Sequence, residues 1–265
     1  MLSITTAELN TLLATFLWPL SRILALIASA PILGNPSIPV RTKLGLAIMI
    51  TILVTPTVEK SLPHIDPASG VGLIILLQQI IIGVAIGFVM RIVFVAVEMA
   101  GELIGLQMGL GFAVFFDAQH AGQVPLVGRF LGVIASLAFL AINGHLIMIA
   151  LISQSFSTLP VGLDNINETM FSALARWGGE IFKSGLQLSL PVLTALLITN
   201  LALGILTRAA PQLNIFAVGF PLTLSIGFLV LALSMSFYAP ILEHFVQNGL
   251  NVMMSITNID KIDMP

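Results

Sequence analysis

The stretch VGLIILLQQIIIGVAIGFVMRIVFVAV, residues 71–97, contains one charged side chain, Arg91, and two glutamines, Gln78 and Gln79, in an otherwise apolar run. A bilayer core of about 30 Å needs around 20 apolar residues of helix, so this run can cross one, and it is helical by its length rather than by its pattern. The same reading extends outward to Leu12–Leu33, Leu44–Val58, Leu126–Ile152, Leu186–Leu206 and Ile215–Leu242. The segment ending at Val58 is short and contains Pro56, whereas those beginning at Val71 and Ile215 are long. Such unequal lengths predict an all-α, integral-membrane protein built from bent or re-entrant helical hairpins rather than a regular bundle of spans.

Composition agrees. Of the 265 residues, 57% are apolar and 8% charged, against about 45–50% and about 25% in soluble domains. The 10 Lys+Arg and 12 Asp+Glu leave a net charge of −2, which supplies no basic face able to displace counterions from a nucleic-acid backbone. Nucleic-acid binding is therefore not expected. The absence of cysteine removes disulfides, thiolate metal ligands and Cys nucleophiles. Counting Lys and Arg in alternate loops assigns no orientation: Lys60, Arg176, Lys183 and Lys261 fall on one side, Arg41, Lys43 and Arg208 on the other.

Three arginines, Arg22, Arg91 and Arg129, lie within or at the edges of apolar segments. An unpaired charge at the bilayer centre costs about 2.5–3.5 kcal/mol on insertion scales, so these side chains need protein partners, snorkel to the interface, or avoid lipid. Pro19, Pro191 and Pro221 also fall inside apolar segments, and each removes a helix hydrogen bond. Backbone irregularity at membrane depth persists only inside protein or against a water-filled cavity. Four G-x-x-x-G pairs, Gly83/Gly87, Gly101/Gly105, Gly105/Gly109 and Gly128/Gly132, allow helices to approach closely. These features together predict a tightly packed part of a larger assembly.

Two segments depart from the apolar background. From Asp164 to Gly185, Met170, Leu174, Trp177 and Ile181 share one helical face, Asn165 and Glu168 offer a cap-like start, and Arg176 and Glu180 stand four apart. That pattern predicts a short surface helix. From Glu98 to Pro125, EMAGELIGLQMGLGFAVFFDAQHAGQVP, there is no Lys or Arg, and glycine, acidic, amide and aromatic residues mix. Gly101, Gly105 and Gly109 smooth one face, and Gly109-Leu110-Gly111 loosens the chain ahead of Phe112, Phe115 and Phe116. Those aromatics either form a deformable apolar constriction or are ordinary core. Glu98 and Glu102, four apart on one face, either carry protons or a cation within an assembly or edge a polar surface.

No enzyme signature is present. His64, His120, His145 and His244 occur singly, and no H-E-x-x-H, G-x-S-x-G, Walker or G-x-G-x-x-G pattern occurs. No cofactor or metal site is expected. A small-solute transporter using Glu98, Glu102 and His145 is one alternative, although no matching acidic pair marks a second repeat.

Phe16-Leu17-Trp18-Pro19-Leu20 with Arg22, Ile38-Pro39-Val40-Arg41, Gly101-Glu102-Leu103-Ile104-Gly105-Leu106-Gln107-Met108-Gly109, Asn143-Gly144-His145-Leu146 and Ala209-Ala210-Pro211-Gln212-Leu213-Asn214 carry a resemblance. Over nearly its whole length the sequence resembles the FliR family of flagellar type III export-gate proteins, related to the SctT proteins of virulence injectisomes. The resemblance implies one 1–265 domain, FliP-like in its N-terminal part and FliQ-like in its C-terminal part. It further implies a non-enzymatic subunit packed with FliP and FliQ around a pore in the bacterial inner membrane at the flagellar basal body. FlhB and FlhA would lie nearby, and unfolded flagellar subunits would pass through. The family's pore plug matches Leu106 to Phe116, which makes Met108, Phe112, Phe115 and Phe116 the closure residues and Gly101, Gly105, Gly109 and Gly111 the flexible or close-packing glycines. Arg22, Arg91, Glu98, Glu102 and Arg129 become charges placed within the assembly. An injectisome subunit would share the fold and differ in its partners.

Overall fold

A computed structural model describes residues 6–58, 63, 65–111, 125–163, 168–212 and 214–259, with side chains for all of these except 6–12, 215 and 216. Among the described residues the secondary structure is entirely helical: α1 Thr6–Ser29, α2 Val40–Val58, α3 Gly70–Gln107, α4 Leu126–Ala141, α5 Gly144–Thr158, α6 Glu168–Gly178, α7 Glu180–Ala209 and α8 Ile215–Ile256. Val40–Val58, Gly70–Gln107, Glu168–Ala209 and Ala217–Ile256 are long and apolar enough to cross a membrane, and α4 with α5 qualify together as an interrupted span. The all-α, membrane-type reading therefore holds.

Helix ends follow local chemistry that apolar length does not reveal. Ser69 caps α3, its hydroxyl accepting the Gly72 amide at 3.0 Å, while the Asp66 carboxylate accepts the Ala68 amide at 2.9 Å. The Ser69 hydroxyl thereby satisfies an amide that the first helical turn leaves without a partner. α3 then continues ten residues past Val97, so Glu98 and Glu102 belong to a 38-residue helix. α8 is longer still, at 42 residues, roughly twice what a bilayer core requires. The segment expected from Leu126 to Ile152 is instead interrupted at Asn143, whose φ of 57° is left-handed and ends the helical path. Asparagine adopts that conformation more readily than most residues because its short amide bonds locally.

The surface helix also ends sooner than expected. α6 stops at Gly178 and Glu180 opens α7. Glu180 is not paired with Arg176 as its spacing suggested: its carboxylate accepts Lys183 Nζ at 2.8 Å and the Ser184 hydroxyl at 3.1 Å, both within α7. Asp164 and Asn165 lie outside the described residues. The predicted apolar face does pack, with Met170 buried and Trp177 Nε1 donating to the Val89 carbonyl at 2.9 Å.

The described residues fall into two compact units. One comprises those up to Ile92, Asn143–Gly178 and those from Val246; the other comprises Val93–Ile142 and Gly179–Phe245. In the first, α1 packs on α2 and on α3, around Trp18, Ile23, Leu26, Ile82 and Ile86, all at most 1% exposed. Gly83 and Gly87 make the α1–α3 approach possible: a Cβ at Gly83 would lie 2.1 Å from the Arg22 carbonyl oxygen, and one at Gly87 2.9 Å from that of Leu26. In the second unit, Phe94 and Phe139 meet edge to face with ring centroids 5.7 Å apart, and Gly185 lets α7 approach the Ala96 carbonyl. α7 and α8 leave long apolar faces open, including Leu190, Leu197, Leu201, Ile205, Leu229 and Leu233.

Candidate functional site

Among the described residues of the first unit, Arg22 is the most buried charge. Its guanidinium is fully enclosed and, among those residues, is held without a carboxylate. Nε donates to Gln79 Oε1 at 2.8 Å, one terminal nitrogen donates to the Ser155 carbonyl and hydroxyl at 3.0 and 3.1 Å, and the other donates to the Leu159 carbonyl at 2.9 Å. The Phe156 ring lies 4.1 Å below its central carbon. A planar fork of donors can reach three residues on two other elements in this way, and its delocalised charge stacks well on an aromatic face. The Leu159 carbonyl, beyond the last turn of α5, would otherwise be orphaned. Arg22 thus ties α1 to α3 and to the end of α5, and its role inside the chain is to hold this unit together.

The other charges are arranged differently. Arg91, Glu98, Glu102 and Arg129 are all exposed. Glu98 lies along α4: a Cβ at Gly132 would lie 3.5 Å from its carboxylate oxygen. The α3–α4 crossing sits nearby, where a Cβ at Gly101 would meet Gly128 Cα at 2.4 Å and its amide nitrogen at 2.5 Å. Gly105 is roomier, with its nearest neighbours at 3.8 Å. Of the four G-x-x-x-G pairs, then, only Gly83/Gly87 brings both members against a neighbouring backbone.

α3 ends in a defined stop rather than a loose hinge. The Gly109 amide donates to Leu106 O at 3.0 Å and the Leu110 amide to Gly105 O at 3.0 Å, with Gly109 at φ 85°. This pair of bonds around a left-handed glycine is the Schellman motif. Gly111 is exposed, close to Leu106. Met108, the residue before the glycine, is fully buried against Gly227 of α8, and its carbonyl at 3.2 Å shares the Thr223 hydroxyl proton with the Phe220 carbonyl at 3.0 Å. Thr223 and Gly227 escaped sequence reasoning; their only signal is two small residues one helical turn apart on an apolar helix. Phe112, Phe115 and Phe116 lie outside the described residues.

Among the described residues, no three His, Asp or Glu side chains are grouped so as to hold a metal ion. The polar interactions described above join helix to helix and cap helix ends, and four helical stretches are long and apolar enough to cross a membrane. These features define a helical protein of the integral-membrane type. Comparison with known sequences supplies the family. Residues 13–249 match the family described as bacterial export proteins, family 1, and the chain belongs to this family, that of the FliR export-gate proteins. It is 46% identical over 256 residues to flagellar biosynthetic protein FliR of Escherichia coli (strain K12), covering 97% of each chain. Against FliR of Buchnera aphidicola subsp. Schizaphis graminum it is 35% identical over 246 residues, 93% of this chain and 95% of the relative. With FliR of Bacillus subtilis (strain 168) the identity is 30% over 228 residues, 85% and 87% of the two chains.

Proposed function

We propose that this chain is a structural and gating subunit of the flagellar type III protein-export pore, required for flagellum biosynthesis and for passage of unfolded flagellar subunits across the inner membrane. The observation that carries the reading is the end-to-end match to FliR, 46% identical over 97% of both chains. The fold supports it. Helices of 38 and 42 residues exceed the need of a bilayer span, and the open apolar faces of α7 and α8 suit burial against other subunits as well as lipid. In this reading FliP and FliQ build the gate with this chain, FlhB and FlhA lie nearby, and the assembly stands in the flagellar basal body. The N-terminal part takes the FliP-like role and the C-terminal part the FliQ-like role. Deleting the gene is expected to abolish filament assembly and swimming, with restoration from a plasmid copy; swimming that survives deletion overturns the reading.

Closure falls to Met108, Phe112, Phe115 and Phe116, with Gly101, Gly105, Gly109 and Gly111 shaping the approach to them. A pore for unfolded chains must stop ions when idle and yield to many side-chain shapes when open. Apolar contacts of methionine and phenylalanine meet both demands because they depend on shape rather than sequence. Replacing Phe112, Phe115 and Phe116 together by alanine is expected to leave the complex assembled and to raise membrane ion leak. Unchanged conductance in an assembled gate returns these residues to a core role.

A further inference from the structure

The end of α3 is held on α8 by two independent contacts, both inside the second unit. The first depends on residue 227 having no side chain. A Cβ there would lie 2.6 Å from Cγ, 2.8 Å from Sδ and 2.9 Å from Cε of Met108, so glycine opens a notch that the whole methionine side chain fills. The second lies one turn earlier on α8, where the Thr223 hydroxyl shares its one proton between the Phe220 carbonyl of its own helix at 3.0 Å and the Met108 main-chain carbonyl at 3.2 Å. Carbonyls in the last turn of a helix have no partner within it, and here another helix provides one. Gly109 then turns the chain through its left-handed φ of 85°, and Leu110 closes the cap. Side chain, carbonyl and backbone direction are thus all specified within three consecutive residues. Simple core filling would require only the first.

We infer that Gly227 and Thr223 form a seat for Met108 that fixes where, and in which direction, the chain leaves α3, which makes them positioning residues for pore closure. The inference rests on the closure role proposed above and adds to it two residues of α8. Methionine is flexible enough to fill irregular space, so an unconfined Met108 would hold no fixed position. The notch removes that freedom, and the threonine hydroxyl sets the register between the two helices.

The chain contains no cysteine, so the double variant Met108→Cys/Gly227→Cys carries the only pair in the subunit able to form a disulfide. The 2.6 Å between a Cβ at 227 and Met108 Cγ, one bond from Met108 Cβ, keeps the two Cβ atoms under the roughly 4.5 Å upper limit that a disulfide accepts. In the gate co-purified with its partner subunits, mild oxidation is expected to close this bridge, and failure to cross-link overturns the seat. Gly227→Val is expected to raise ion leak several-fold in an assembled gate, because the valine takes the space that the Met108 side chain fills. A tight Gly227→Val gate overturns the proposal. Thr223→Val, nearly equal in volume and lacking only the hydroxyl, covers the case in which Gly227→Val does not assemble: it too should leak, and a tight Thr223→Val gate would overturn the proposal. If the triple Phe→Ala gate is itself tight, it is the closure reading that fails, and a cross-link that still forms leaves the packing of Met108 on Gly227 intact.

Discussion

Arg22→Ala is expected to deplete the subunit from the membrane and to abolish swimming. Truncation removes the three nitrogens with which Arg22 reaches Gln79, Ser155 and Leu159. Ser155 O still accepts the Leu159 amide at 2.9 Å, but Gln79 Oε1 and Leu159 O lose the only donors seen on them. Each buried polar atom left without a partner costs about 1–3 kcal/mol, and emptying a large buried side chain adds a further cost of about 2–5 kcal/mol. Against a total stability of about 5–15 kcal/mol, that sum unfolds the unit or commits it to proteolysis. Gln79 makes the loss sharper, since its amide nitrogen already has no partner among the described residues. Arg22→Lys should rescue little. One ammonium carries its donors on a single atom and cannot reach Gln79, Ser155 and Leu159 at once, although the charge is retained. Immunoblots of membrane fractions and swarm diameter read the outcome, and wild-type abundance of Arg22→Ala would remove the network's structural role.

The second large effect is expected at the α3–α4 crossing. Gly101→Ala places a methyl group 2.4 Å from Gly128 Cα, and what it meets is backbone, which cannot rotate aside. One helix must move, carrying Glu98, whose carbonyl oxygen would itself lie 2.9 Å from a Cβ at Gly128. Overpacking of this kind costs typically 1–3 kcal/mol and sometimes more. Gly101→Val should be worse still. The control is Gly105→Ala four residues on, where the nearest atoms stand at 3.8 Å and the change should be close to neutral. A second control, Gly204→Ala, meets nothing within 4 Å and gains helix propensity of about 1 kcal/mol. Both controls should swim normally while Gly101→Ala swims poorly or not at all. Equal swimming by Gly101→Ala and Gly105→Ala would show that α3 and α4 do not cross there.

These two predictions separate what was legible in the chain from what was not. The G-x-x-x-G pattern marks Gly83/Gly87, Gly101/Gly105, Gly105/Gly109 and Gly128/Gly132 alike. Only the geometry ranks them: Gly83, Gly87, Gly101 and Gly128 touch backbone, Gly105 and Gly132 have room, and Gly109 ends a helix. A spacing rule records which residues share a face and says nothing of what faces them. Helix ends were missed for a similar reason. Apolar composition falls away at Val97, yet α3 continues through Glu98 and Glu102 until a left-handed glycine and its two capping bonds stop it. Charged residues do not end a helix; backbone conformation does. Met108 was picked out by resemblance, but its seat on Thr223 and Gly227 joins residues 115 apart or more, which no local pattern connects.

The sequence by itself determined the class. Fifty-seven per cent apolar residues, 8% charged ones and segments long enough to cross a bilayer require helices, because backbone amides and carbonyls in lipid must be satisfied within the segment. Motifs spread over the whole chain carried the family. The tertiary structure alone decided how the polar residues are used. Arg22 reads in the sequence as an arginine stranded in an apolar run, and it becomes the tie of one unit because acceptors 57, 133 and 137 residues away converge on it. The reason is that the cost of burying a charge depends on the partners that folding brings to it, and those partners are set by chain crossings that composition does not encode.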